Sequence, residues 1–170
     1  MKPLKYRGFV LSWWKIDARG NLYCTADPTY EAPTRVTGTR KKYRQVQLLV
    51  HGRLQWLYVH RLMAFSWLPK PKSPRLRIVD HRNGDSLNNK IENLRWITSQ
   101  GNNLNRSCYG LVMEDGIFYP KVAGHIHYKF GADEATALML RKILVEYYVN
   151  FTIRNPDSRS YPHENISNYK

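Results

Sequence analysis

Hydrophobic and polar positions change over short distances through the first sixty residues, a pattern that predicts short strands. Residues 9–14 and 15–17 read as strands leading into the turn signal Ala18-Arg19-Gly20-Asn21, followed by Leu22-Tyr23-Cys24. Residues 25–39 hold Pro28, Pro33 and Gly38 and read as an exposed loop. Apolar and aromatic residues crowd 44–50 and 53–59 on either side of His51-Gly52, which predicts a hairpin. The spacing then turns helical: Leu62, Met63, Phe65 and Trp67 mark a helix over 60–67. Leu68-Pro69 closes it, because the residue before a proline avoids the α region. Residues 70–77 form a basic, proline-punctuated linker. A short strand at 78–80 precedes the turn Arg82-Asn83-Gly84-Asp85. Residues 88–95 run from polar to apolar and end in Trp96-Ile97, and Thr98 and Ser99 offer N-caps for a helix to about residue 106. Beyond Gly110, residues 117–123 and 125–130 predict a second hairpin turning near Gly124. Asp133 then opens a helix to about residue 151, with Ala137, Leu140, Leu144, Tyr148 and Phe151 spaced by three or four. Residues 155–170, with Pro156 and Pro162, read as a tail.

Composition narrows the class. The 170 residues are 42% hydrophobic and 13% aromatic, enough for a core, which excludes wholesale disorder. Mean hydropathy is −0.58 and the apolar runs are only a few residues long, so no segment spans a bilayer. The start, MKPLKYRGFV, lacks the apolar run and cleavage site of a signal peptide. Cys24 and Cys108 are too few and too far apart for a zinc knuckle or a disulfide framework. These features set the expectation of a soluble, cytoplasmic, monomeric protein with no membrane and no evident protein partner.

Charge sharpens the picture. Lys+Arg number 27 against 13 Asp+Glu, a formal charge of +14. Between Arg35 and Arg82 stand twelve Lys or Arg residues and a single acid, Asp80. Aromatic and apolar residues interleave them (Tyr43, Val46, Leu48, Trp56, Tyr58), so the stretch reads as a folded basic surface that tracks phosphates. Arg40, Lys41, Lys42, Arg44, Arg53, Arg61 and Arg82 are its candidate contacts. Arg61 and Arg95 either reach phosphates or pair with local acids. His60 is either a satisfied histidine or a further DNA contact.

The densest chemistry lies in Val79-Asp80-His81-Arg82-Asn83-Gly84 and in 88–96, read together with Asn102 and Asn103. Phosphodiester hydrolysis needs an activated water and a cation to neutralise charge at the phosphate and leaving oxygen. Histidine titrates near neutral pH, so His81 can serve as general base. Asp80 and the amide oxygen of Asn102 are hard donors of the type magnesium prefers. An Asp80 carboxylate buried beside Ile78 and Val79 is unfavourable without a cation. Asn83, Asn88 and Asn89 read as turn residues rather than ligands. Consecutive strand residues point to opposite faces, so Asp80 and His81 cannot both face a substrate from an ideal strand; a bent hairpin packed on a helix bearing Asn102 would resolve this.

These motifs, with Val59-His60-Arg61-Leu62-Met63-Ala64-Phe65 upstream, resemble the HNH endonuclease family, particularly its phage and intron-encoded homing type, over residues 59–106. The resemblance implies a ββα-metal core in which Asp80 and Asn102 bind one divalent ion, Mg2+ or Mn2+. It assigns His81 to water activation and Asn93 to bracing the loop and orienting the histidine. Where the wider family often has a third histidine, this chain has Asn102. With no paired CxxC motif for zinc, packing of Leu94, Trp96 and the 60–67 helix must hold the centre. The resemblance further implies hydrolysis of double-stranded DNA to 5′-phosphate and 3′-hydroxyl ends.

Residues 14–24 weakly resemble the hairpin that precedes the nuclease core in phage homing enzymes. Tyr109-Gly110-Leu111, 118–122, 128–131 and Glu134-Ala135 with the helix after them look like an ethylene-response-factor type of DNA-binding domain. Lys121, His125, His127 and Lys129 are the polar residues of its hairpin and the candidates to touch DNA. The hairpin and helix could instead only buttress the nuclease. The expected architecture is α+β: a β-rich DNA-contacting region (1–58), the HNH core (59–106), a C-terminal hairpin-helix module (107–154) and a tail (155–170). The rival class is a non-catalytic DNA-binding regulator with the same fold, against which intact Asp80, His81 and Asn102 argue; an RNA-binding role lacks a recognisable module.

Overall fold

The computed structural model describes residues 1–106 and 110–158; Cys108, Tyr109 and the expected tail from 159 onward lie outside the described residues. The chain is α+β and divides into two compact units, Met1–Lys72 with Val79–Trp96, and Ser73–Ile78 with Ile97–Lys170.

The first unit holds two antiparallel three-stranded sheets. One is formed by β1 (Lys2–Tyr6), β2 (Phe9–Ile16) and β3 (Leu22–Cys24), the other by β4 (Thr34–Thr37), β5 (Tyr43–Val50) and β6 (Arg53–Tyr58), each in sequence order. Alternation sets the faces of β5: Val46, Leu48 and Val50 are buried, while Gln47 and Leu49 are exposed. The β5–β6 turn places His51 at φ +50° and Gly52 at φ +74°, the double positive φ that matches the twist of a tight hairpin. Helix α1 (Val59–Trp67) follows without a loop. Leu68, ahead of Pro69, leaves the helix in an extended conformation while its N–H still bonds Ala64. Leu62 and Met63 of α1 join Leu4, Ile16, Leu22, Val46, Leu48 and Leu94 in one buried cluster. Each such side chain contributes about 1.5–3 kcal/mol by leaving water. The hairpin of β7 (Ile78–His81) and β8 (Leu94–Ile97) completes this part of the chain.

The second unit contains α2 (Ser99–Arg106), an antiparallel sheet of β9 (Leu111–Glu114), β10 (Ile117–Val122) and β11 (His125–Ile126), and α3 (Glu134–Arg154). Asp133 caps α3 by accepting from the Thr136 N–H, and hydrogen bonding from the Thr136 side chain first, then its backbone, holds the carboxyl below the usual carboxylate range. Ile97, Leu104, Val122, Leu144, Val145, Tyr148 and Val149 form its core. Among the described residues no helix is long and apolar enough to cross a membrane.

The elements differ from expectation in four places. Strand β1 was not anticipated; it exists because β2 supplies its partner and Ser66 of α1 accepts its Lys5 N–H at 2.9 Å. The loop expected over 25–39 contains β4, where a β-branched run docks on the edge of β5. Strand β9 adds a third strand to the expected second hairpin. The last arm of that hairpin ends at Ile126 and gives way to a single 3₁₀ turn, Tyr128–Phe130.

Candidate active site

The centre of the site is two consecutive residues of β7. Asp80 and His81 are both buried, and their partners lie apart, as alternation along a strand requires. Asp80 Oδ2 accepts from Arg95 Nε at 3.0 Å, the Arg95 side chain reaching it from β8. His81 Nε2 lies 3.1 Å from Asn89 Oδ1 in the loop between the two strands. Asn89 Nδ2 donates to the Leu87 carbonyl at 3.3 Å, which turns its oxygen toward the ring. An amide oxygen accepts, so this contact suits a ring that carries a proton on Nε2.

Asn93 braces the loop. Its Oδ1 accepts the Asn83 N–H at 3.1 Å, its Nδ2 donates to the Asn88 carbonyl at 2.8 Å, and its own carbonyl accepts the Arg82 N–H at 2.8 Å. The bracing expected of Asn93 is present, but the amide bonded to the histidine is that of Asn89, which sequence reading treated as a turn residue. Nothing in a single sequence separates Asn89 from Asn88; only the loop's path buries one and leaves the other half-exposed.

The loop leans on the turn between β2 and β3. Gly20, at φ +87° in the turn after β2, is buried so closely that a Cβ there would stand 3.0 Å from Val59 Cγ1 and 3.4 Å from Asn89 Cβ. The Ile91 N–H donates to the Ala18 carbonyl at 3.3 Å. Leu94 lies in the shared core and Trp96 meets Phe65 of α1 with ring centroids 5.3 Å apart, so both side chains expected to hold the centre are packed.

His60 is not a surface contact. Its ring is buried among Tyr43, Tyr58 and His81, with centroids 5.3, 5.5 and 5.2 Å away, and its Nδ1 has no hydrogen-bond partner among the described residues. Burial first, then the neighbouring His81 and Arg61, push its pKa down to about 3, so it is neutral at physiological pH. Of the two readings of Arg95, the structure shows the second: it is buried and paired with the acid Asp80. Arg44 is half-buried and committed to Thr34, Asn21 and Glu31. Arg40, Lys41, Lys42, Arg53 and Arg82 are exposed and Arg61 is half-exposed.

In the second unit Asn102 sits half-buried on α2, its N–H bonded to the Thr98 carbonyl in the first turn. Lys121, His125 and Lys129 are exposed. His127 packs its ring against Phe130 and Tyr148 instead, and burial, with His125 nearby, lowers its pKa.

A paired Asp-His on one strand, an amide-oriented imidazole and an asparagine-braced loop coincide with a family match. Residues 57–104 match the HNH endonuclease family. This HNH segment runs from the end of β6 to α2. Over 44 residues the chain is 39% identical to an uncharacterized HNH endonuclease of Acanthamoeba polyphaga mimivirus, covering 26% of this chain and 11% of that protein. It is also similar to a solved structure concerning DNA binding and cleavage by the HNH homing endonuclease I-HmuI, at 26% identity and a TM-score of 0.45, covering 55% of this chain and 51% of that one. The chain thus spans about a tenth of the curated relative and about half of the solved one.

A divalent ion must be tested against the donors present. Among the described residues no three His, Cys, Asp or Glu side chains gather as a metal cluster. The matched segment offers in the first unit one carboxylate, Asp80, a hard donor suited to an ion that keeps several waters. A carboxylate has about four lone-pair sites, so the Arg95 bond to Oδ2 does not exhaust Asp80. The donor chemistry fits.

Proposed function

We propose that this chain is a metal-dependent HNH endonuclease of the homing type that hydrolyses phosphodiester bonds in double-stranded DNA. The observation that carries the reading is His81, buried beside Asp80 and oriented by Asn89, inside the segment that matches the family. His81, oriented by Asn89, takes the proton of a water attacking phosphorus; the bond to the 3′ oxygen breaks and that oxygen takes up a proton from solvent, which leaves 5′-phosphate and 3′-hydroxyl ends. Asp80 and Asn102 would hold one divalent ion, magnesium or manganese, which supplies charge neutralisation at the phosphate. Arg40, Lys41, Lys42, Arg53 and Arg82 offer exposed cations to the DNA backbone. In the second unit the β9–β11 sheet supports a DNA-reading role of the ethylene-response-factor type, with Lys121, His125 and Lys129 on its surface.

The test is to incubate supercoiled plasmid carrying the cognate locus with protein and magnesium, beside His81→Ala. The reading expects nicked or linear product from the wild type and none from the variant. Cutting that survives in the variant removes His81 from the mechanism. Specific binding with no cutting by either protein makes the chain a DNA-binding regulator.

A further inference from the structure

Within the first unit, a cavity of about 260 Å³ that opens to solvent is lined by residues of both sheets. Trp14 of β2 and Tyr30, from the loop after β3, form one wall, with ring centroids 6.3 Å apart and planes tilted by 45°. Arg35 of β4, Gln47 of β5 and Trp56 of β6 form the other. The sheet register brings the second wall together, pairing Gln47 with Trp56 and Arg35 with Gln45. The Arg35 guanidinium lies 3.5 Å over the Trp56 ring, and Gln45 Oε1 fixes it there by accepting from Nε and Nη2 at 3.3 and 3.2 Å. Tyr30 and Trp56 remain 49% and 40% exposed.

Three properties define the ligand. Aromatic walls and a stacked guanidinium select a flat π system. The exposed Gln47 amide can donate to and accept from the edge of such a ring. The volume is below the usual range for drug-sized ligands and suits one ring system. The surroundings decide what carries that ring: Arg40, Lys41 and Lys42 stand exposed in the adjoining β4–β5 turn and call for a polyanion.

We propose that this cavity holds one nucleobase of the DNA, unpaired and turned out of the duplex near the cleavage point. The inference rests on the endonuclease reading and deepens it. Its position fits. Trp56 and Tyr58 share a face of β6, Tyr58 lies 5.5 Å from His60, and His60 lies 5.2 Å from His81. A base in the cavity is thus a few nucleotide steps from the phosphate at His81. Holding it there selects sites where pairing is weak or broken, since extruding a base is easiest at such places.

The full chain is titrated, without divalent metal, against two duplexes of equal length: one fully paired, one with a single unpaired 2-aminopurine. The expected result is about tenfold tighter binding of the second, with a change in 2-aminopurine emission. Trp56→Ala and Tyr30→Ala abolish that preference and leave paired-duplex binding intact, whereas Trp56→Phe, which keeps a stacking plane, retains it. Tyr30 lies in an exposed loop, so its variant remains informative if Trp56→Ala loses its fold by circular dichroism. A wild type that binds paired DNA but shows no preference overturns the cavity assignment alone, as does a variant that weakens both duplexes equally. Failure of the wild type to bind either duplex overturns the endonuclease reading itself.

Discussion

Arg95 and Asp80 form a buried ion pair across the β7–β8 hairpin, Nε to Oδ2 at 3.0 Å, with side chains 4% and 8% exposed. The carboxylate expected to ligate a metal therefore already rests against a cation of the protein itself. This explains how an acid can be buried beside Ile78 and Val79 before any ion arrives.

Removing the guanidinium takes away the Arg95 bond to that carboxylate. Arg95→Leu is expected to destabilise the protein by about 3 kcal/mol in urea denaturation. Millimolar magnesium then raises the melting temperature of the variant more than that of the wild type, because the ion takes the vacated side of Asp80. Equal shifts in both proteins would count against Asp80 as a ligand.

Asn89→Ala removes the hydrogen bond to His81 Nε2. Plasmid nicking is expected to fall by about 10- to 100-fold, the loss typical when an orienting partner is removed, while DNA affinity by gel shift is unchanged. Unaltered nicking would mean that the imidazole is oriented by other contacts.

His60 makes stability depend on pH. Its pKa is about 3 in the fold against 6.5 as a free side chain, so between these values the unfolded chain takes up a proton that the folded chain refuses. Stability contributed by the neutral ring is complete above pH 6.5 and declines as pH falls toward 3, by about 1.4 kcal/mol per unit. Denaturation at pH 7 and pH 5 should show this decline in the wild type, and a His60→Phe variant should lack that share of it.

Gly20→Ala combines a strained φ with a new contact at 3.0 Å to Val59. A loss of about 1–2 kcal/mol is expected, read as melting temperature. Nicking measured well below that temperature should also fall, because the displaced turn presses on Asn89.

What the sequence made legible follows from how far each signal reaches along the chain. The α1 helix, the His51-Gly52 hairpin and the Asp133-capped α3 are written in local spacing and turn chemistry, and they were expected within a few residues. Strands β1, β4 and β9 owe their existence to partners elsewhere in the fold, so local pattern passed them over. In the site, Asp80 and His81 stood out because their residue types and spacing are unusual together. The partners did not: Asn89 resembles its neighbour Asn88, Arg95 resembles any phosphate-binding arginine, and His60 shows its neutrality only once Tyr43, Tyr58 and His81 close around it.

The contact of Gly20 and Ala18 with the loop that carries Asn89 and Ile91 bears on what kind of object the matched segment is. Residues 57–104 hold every letter of the motif but not the turn that presses the histidine's brace into place, nor Leu4, Ile16 and Leu22, which complete the core beneath α1. As text the motif is a transferable cassette. As a folded unit it takes in the β1–β3 sheet, and grafting the segment alone onto another protein would carry over Asp80 and His81 without the packing that holds Asn89.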